Sequence, residues 1–135
     1  MFLSSMYKFL FTIALAFFSF ILWIIYLANT ASNSIFFDLV RAIPYGDKFG
    51  HIFLFGLLAF LAIVASRFRT FKLNALKIYY GTLGVLIFAL TEEASQAFLP
   101  SRTFDFLDLG ADLIGIALAS LAAHQLERRN PDINR

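Results

Sequence analysis

The chain has 135 residues, of which 60% are hydrophobic and 15% are charged, and its formal net charge is +2. Soluble domains usually contain about 45–50% apolar and about 25% charged residues, so this composition indicates an integral membrane protein rather than a soluble one. No Cys is present, which excludes disulfides, thiolate nucleophiles and Cys-based metal sites. The basic residues lie in short clusters beside apolar segments, a pattern typical of a membrane surface and not of nucleic-acid binding.

Four segments are apolar enough to cross a membrane, which takes roughly 20 mainly apolar residues per helix. The first segment is longer than the apolar stretch of a signal peptide, which has about 7–15 residues, so we expect it to be retained. The pattern therefore predicts a single all-α domain over residues 1–135, folded as an integral membrane four-helix bundle. The expected spans are residues 9–27, 49–66, 73–96 and 104–124.

Lys and Arg are distributed unequally between the two ends of these spans. Only Arg41, Lys48 and Arg102 lie on the side that holds the loops after the first and third spans. Because cytoplasmic loops of membrane proteins are enriched in Lys and Arg, both termini are predicted to be cytoplasmic. The loops at 29–48 and 96–103 then face outward. The basic residues on the predicted cytoplasmic side are Lys8, Arg67, Arg69, Lys72, Lys77, Arg128, Arg129 and Arg135.

The segment 34–43, between the first two spans, is too apolar for a solvated linker, and Asp38 and Arg41 are its only charged residues. Two interpretations are open. The segment is either a short helix that lies in the outer interface or a cap that packs over the bundle. Pro44 and Gly46 mark the turn that begins the second span.

Polar residues gather at the outer ends of the last three spans, at one expected depth near the outer interface. The fourth span carries Asp105, Asp108, Asp112, Gly115 and Ala119 at steps of three and four, which aligns them on one helix face. An Asp in the middle of a membrane costs about 2.5–3.5 kcal/mol, so we expect this face to point into the bundle. The other members are Asp47, Lys48 and His51 on the second span, and Glu92, Glu93 and Gln96 on the third.

Three interpretations of this polar cluster are open. In the first, Lys48 and Arg102 pair with the acids only to hold the helices together. In the second, the cluster binds a ligand, since perturbed acids gather at such sites. In the third, His51 and Glu93 with an Asp bind a divalent metal, although one His among scattered carboxylates is a weak signal. We carry the second forward as the prediction, with no metal site and no cofactor. The predicted ligand-binding residues are Asp47, Lys48, His51, Glu93, Gln96, Arg102, Asp105, Asp108 and Asp112.

Four motifs, taken in order, resemble the VanZ-like family of small bacterial membrane proteins. They are D-K-x-x-H-x-x-x-F at 47–55, E-x-x-Q at 93–96, P-x-R-x-x-D-x-x-D at 100–108 and D-x-x-G at 112–115. The resemblance implies a multi-pass protein of the bacterial inner membrane. The named member of the family is associated with low-level resistance to the glycopeptide teicoplanin. The chain departs from the family pattern at Asp112, where Asn is common, and at Ala119, where Gly is common.

The leading hypothesis for the function is a non-enzymatic cell-envelope factor that binds a lipid-linked or lipidated ligand, such as a lipoglycopeptide, at the outer leaflet. Arg102 suits a phosphate or carboxylate head group, and the Phe-rich spans suit an acyl chain. The alternative is a membrane-embedded hydrolase or transferase that uses His51 or Glu93 as an acid or base. No nucleophile elbow, HExxH motif or phosphate loop is present. A proton-coupled exporter is disfavoured because the first span carries no acid.

Overall fold

The computed structural model of the chain describes residues 2–30, 35–99 and 104–133 and is mostly helical. Helices α1 (Phe2–Asn29), α2 (Ile35–Arg41) and α3 (Gly46–Ala65) come first in the chain. They are followed by a hairpin of two antiparallel strands, β1 (Thr70–Leu73) and β2 (Leu76–Tyr79). Helices α4 (Tyr80–Gln96) and α5 (Phe106–Arg129) complete the described chain.

Three helices within the described ranges are long and apolar enough to cross a membrane, namely α1, α3 and α5. Only 6% of the residues in the most apolar part of α1 are buried in the isolated chain, as is typical of a helix that faces lipid. These three helices indicate a multi-pass membrane protein. Helix α4 has 17 residues, and at about 1.5 Å per residue it extends about 26 Å, slightly less than the roughly 30 Å of the hydrocarbon core.

Consecutive long helices run in opposite directions. In α3 and α5, Gly56 lies against Gly115 near the helix centres, and Ile63 clusters with Ala123 near their ends, so these two helices run in the same direction. Helix α4 runs back from the end of α3 toward the start of α5. Its first turn contacts Ile63, near the end of α3, through Gly81. Helix α1 packs against α3 and runs opposite to it.

Two close helix contacts in the described structure depend on glycine. A Cβ atom at Gly115 would lie 2.3 Å from the backbone oxygen of Ile52, and one at Gly81 would lie 2.5 Å from the backbone nitrogen of Ile63. Within a bilayer, helix association depends on close van der Waals packing that small residues permit. Gly115 and Ala119 are buried, as expected for the small part of the stripe on the fourth span, and Asp112 is buried with them.

The hairpin corrects the expected span 73–96, which begins at Tyr80 rather than at Leu73, and it is absent from the all-α prediction. Asn74 has a φ of 58°, in the left-handed region, and starts a two-residue turn that pairs Leu73 with Leu76. Asn tolerates this conformation, and the aromatic and β-branched residues beside it favour strands. Residues 76–79 therefore precede α4 as a strand and do not form its first helical turn.

The apolar segment 34–43 contains a helix, α2, and this helix packs against the start of α3. The contact is close, because a Cβ atom at Gly46 would lie 2.1 Å from the backbone oxygen of Val40. The segment is therefore helical and packs against one end of α3, while its position in the outer interface stays a prediction.

At the other end of α3, Tyr79 fastens the hairpin to α5. Its hydroxyl donates a hydrogen bond to Oε1 of Glu127 at 2.9 Å, and its ring packs edge-on against Phe68. Burial, together with this bond to a carboxylate, raises the pKa of the Tyr79 hydroxyl above its ordinary value. The hydroxyl therefore remains a proton donor at physiological pH.

We predict that Gly115→Ala lowers the free energy of unfolding by about 1–3 kcal/mol, because the added methyl group meets the backbone of α3. Gly110→Ala is the matched control, since a Cβ atom there meets nothing within 4 Å. The control is expected to be neutral or stabilising by up to about 1 kcal/mol, because Ala favours a helix over Gly. Denaturant unfolding in detergent measures both variants, and equal effects would contradict the close contact at Gly115.

Candidate functional site

Lys48 connects the start of α3 with the start of α5 through carboxylates on both. Its Nζ lies 2.9 Å from Oδ2 of Asp47 and 2.9 Å from Oδ2 of Asp105, and it also donates a hydrogen bond to Asp108. Asp105 is the N-cap of α5, where its Oδ1 accepts a hydrogen bond from the backbone nitrogen of Leu107 at 2.8 Å. Asp is favoured at an N-cap because it satisfies such a free backbone donor.

The hydrogen bond from Lys48, and then the one from Leu107, hold the pKa of Asp105 below its ordinary value of 3.8. A carboxyl whose pKa is lower in the folded state stabilises the fold above its unfolded pKa. This contribution is therefore complete above pH 3.8 and is lost as the pH falls through the lowered pKa. At neutral pH the ion pair between Asp105 and Lys48 is fully formed.

His51 lies one turn after Lys48 and pairs with the next acid along α5. Its Nδ1 is 2.7 Å from Oδ1 of Asp112, and its Nε2 is 3.7 Å from Oδ2 of Asp108. The imidazole stacks parallel to the ring of Phe55 at 5.9 Å between centroids. Asp112 is fully buried, and within the described part of the chain its second oxygen, Oδ2, has no hydrogen-bond partner. His51 is thus held in one orientation by a carboxylate on one side and an aromatic ring on the other.

The end of α4 supplies two buried carboxylates and an amide. Nε2 of Gln96 donates to Oε1 of Glu92 at 2.6 Å and reaches Oε2 of Glu93 at 3.5 Å. Oε1 of Glu93 accepts a hydrogen bond from the backbone nitrogen of Asp105 at 2.9 Å, and Glu93 itself is fully buried. Glu93 thereby joins the end of α4 to the start of α5.

The structure brings eight of the nine predicted residues into one connected network at one end of the described helices. The ninth, Arg102, lies outside the described residues. The convergence is thus observed, while ligand binding by these residues stays a prediction. Glu92 was absent from the predicted ligand-binding set, although its spacing of four from Gln96 was a usable signal. The eight residues are Asp47, Lys48, His51, Glu93, Gln96, Asp105, Asp108 and Asp112.

An apolar cavity of about 350 Å³ borders this network between α1, α2 and α3. Helix α1 contributes aliphatic and aromatic side chains, and Phe37 and Val40 of α2 close one side. Three ionisable residues, Asp47, His51 and Glu92, lie in the wall. Nothing in the sequence singled out the α1 wall, because residues 9–28 carry no charge and no position among them stands out.

The chemistry available here is that of a polar edge on an apolar cavity. Nζ of Lys48 is surrounded by three carboxylates, so the helix-clamp interpretation describes this residue well. His51 belongs both to the network and to the cavity wall. Its imidazole, which can accept or donate a proton, is held in a fixed orientation there. Among the described residues, no group of three or more His, Asp or Glu side chains is arranged to hold a metal ion.

Comparison of the chain with models of protein families, with curated proteins and with solved structures found no match. The resemblance to the VanZ-like family therefore rests on the four sequence motifs and stays a prediction.

We predict that Lys48→Met lowers the free energy of unfolding by about 1–3 kcal/mol, because it leaves partly buried carboxylates facing one another without a cation. Arg41→Met is the matched control, since Arg41 forms an exposed ion pair with Asp38 at 3.3 Å. Exposed pairs contribute about 0–1 kcal/mol. Thermal unfolding in detergent at neutral pH compares the two, and a loss at Lys48 no larger than at Arg41 would contradict the clamp.

Proposed function

We propose that this chain is a four-helix protein of the bacterial inner membrane that binds a lipid-linked or lipidated ligand at the outer leaflet. The ligand's acyl chain would occupy the cavity of about 350 Å³, and its head group would meet Asp47, His51 and Glu92. This cavity is the single observation that carries the proposal. Ligand sites are mostly apolar concavities of about 300–1,000 Å³ with a few placed polar groups, and this cavity fits that description.

The path of the chain supports a fourth crossing by α4. Helices α3 and α5 start at the same end, where Lys48 bonds to Asp108, and each is long enough to span. The chain leaves α3 at the opposite end and must return before α5 begins, and α4 is the helix that connects these ends. Its shortfall of about 4 Å from the hydrocarbon thickness is within what neighbouring apolar residues or local thinning accommodate.

The distribution of basic residues supports the orientation. The end of the molecule opposite the polar network carries Arg69 just before the hairpin, Lys72 and Lys77 in the hairpin, and Arg128 and Arg129 at the end of α5. Short loops rich in Lys and Arg stay in the cytoplasm. The network and the cavity beside it then belong to the outer leaflet, where lipid-linked precursors of the cell wall and lipidated antibiotics are both present.

The VanZ-like motifs supply the candidate ligand, teicoplanin, which is a glycopeptide with an acyl chain. The proposal assigns the acyl chain to the apolar cavity and leaves the glycopeptide core at the membrane surface. A role in teicoplanin susceptibility would follow from sequestering the drug through its chain.

We predict that Gly50→Leu weakens binding of teicoplanin to the purified protein by about 10–100-fold, because the added side chain fills the cavity. Gly50 lines the cavity, and a Cβ atom there meets no protein atom within 4 Å, so the variant is expected to fold normally. Teicoplanin without its acyl chain should bind the parent protein as weakly as the intact drug binds the variant. Fluorescence titration in detergent measures each affinity.

Gly84→Leu is the matched control for this experiment. Gly84 is equally open and lines a second apolar cavity of about 360 Å³ between α1, α3 and α4. Binding should be unchanged in this variant. Equal binding by Gly50→Leu and the parent protein, or equal binding of the acyl-free drug, would overturn the assignment of the cavity.

A membrane enzyme is the second candidate, because a His held by a buried Asp beside a cavity is a common arrangement for a general base. Asp112 fixes the orientation of His51, and the ring lies in the cavity wall. In this candidate the protein hydrolyses or transfers a group of a lipid-linked substrate, with His51 accepting a proton from water or from a hydroxyl group.

If the protein is this enzyme, we expect turnover of a lipid-linked cell-wall precursor by the reconstituted protein and a loss of about 10²–10⁴-fold in rate for His51→Gln. Asp112→Asn should also slow turnover while preserving binding, since it removes the carboxylate charge that stabilises a protonated imidazole and adds no bulk to the cavity. Chromatography of the lipid products measures the rate. An absence of turnover by the parent protein would leave binding as the function.

A further inference from the structure

The hairpin between α3 and α4 has two chemically different faces. Its register pairs Phe71 with Ile78 and Leu73 with Leu76, and alternation along the strands places these four side chains on one face. Leu73 and Leu76 near the turn are 60% and 64% exposed. This apolar face covers no part of the described core beyond the contact between Phe71 and Tyr80.

The opposite face carries Thr70, Lys72, Lys77 and Tyr79. Tyr79 is buried against the bundle through its bond to Glu127, so this face turns toward α5 near its base. At the turn end, Lys72 lies directly opposite Lys77 across the strands. Two like charges in this position repel each other.

No acid within the hairpin offsets these lysines. The segment 66–79 contains four basic residues and no Asp or Glu, and neither Lys72 nor Lys77 forms an ion pair with any described residue. The hairpin is therefore a cationic surface that lacks a counterion within the described chain. Two-stranded hairpins are marginally stable in water, and a further surface against the apolar face would stabilise this one.

The position of the hairpin in the chain indicates which surface can cover its apolar face. It joins the end of α3, which is long enough to span the membrane, to the start of α4. Strand edges have free backbone donors and acceptors, so they do not occur in the hydrocarbon region. The hairpin therefore lies outside the hydrocarbon core, beside the membrane surface at the end of α3 that is away from Lys48 and His51.

We propose that the hairpin is an interfacial anchor for anionic phospholipids. Its apolar face inserts Leu73 and Leu76 among the upper acyl chains, and the long side chains of Lys72 and Lys77, on the opposite face, extend past the strand edges to the phosphates of neighbouring anionic head groups. Lipid phosphates supply counterions for the two lysines, and the acyl chains cover the exposed apolar face. One membrane surface therefore provides both. Anionic lipids attract basic segments that lie beside membrane helices.

The test uses a single Trp as a depth probe in the full chain. Trp23 is the only Trp, so Trp23→Phe gives a background without Trp fluorescence, into which Leu73→Trp is introduced. The protein is reconstituted in phosphatidylcholine with or without phosphatidylglycerol, in which a fraction of the acyl chains is brominated near the head group. We expect strong quenching of Trp fluorescence, and more of it in the anionic bilayer. Leu76→Trp, on the paired strand, repeats the measurement independently.

The charge dependence separates a specific anchor from a general attraction. Lys72→Gln with Lys77→Gln should remove the extra quenching that phosphatidylglycerol produces. The control pair, Arg128→Gln with Arg129→Gln, removes the same charge from the end of α5 and should leave this extra quenching in place. An unquenched Trp at both positions, or equal effects of the two charge pairs, would overturn the proposal.

Discussion

The close approach of α3 and α5 at Gly115 is the contact on which the rest of the structure depends. A side chain there would meet the backbone oxygen of Ile52 at 2.3 Å. Ile52 follows His51 directly, and Asp112 lies about one turn before Gly115 on the same face. The backbone separation that glycine permits is therefore the separation that lets His51 reach Asp112 at 2.7 Å. Gly115 permits the short distance between the two helices, and the contact between His51 and Asp112 depends on that distance.

The buried acids explain why this end of the molecule needs such exact pairing. Removing a carboxylate from water costs several kcal/mol unless other groups compensate. Asp112 receives its compensation from His51, and Glu93 receives part of it from the backbone nitrogen of Asp105. Lys48 forms ion pairs with the more exposed acids, Asp47, Asp105 and Asp108. The interpretations as clamp and as binding site are compatible, because a wall of fixed polar groups is what a head group requires for recognition.

Much of this arrangement was predictable from spacing, and some of it was not. Residues three and four apart share a helix face, which correctly predicted the buried position of Asp112. The predicted alternation of the spans across the membrane correctly predicted the convergence of the polar ends. Spacing does not choose between partners, so the preference of His51 for Asp112 over Asp108 required the structure. The hairpin was missed because hydropathy does not distinguish an apolar strand from an apolar helix in a short run. The left-handed turn at Asn74 decides that case, and Asn signals it only weakly.

The distribution of small residues also determines where the cavity lies. Helices α3, α4 and α5 have glycine or alanine at their contacts, including Gly56, Gly81 and Ala119, and there the backbones pack closely. Helix α1 presents large side chains such as Phe17 and Phe18 instead, and large side chains keep backbones apart. Both apolar cavities accordingly have α1 as a wall. Because α1 forms a wall of the cavity beside the polar network and has few buried residues, the proposed chain-bearing ligand would enter beside α1, from the bilayer rather than from water.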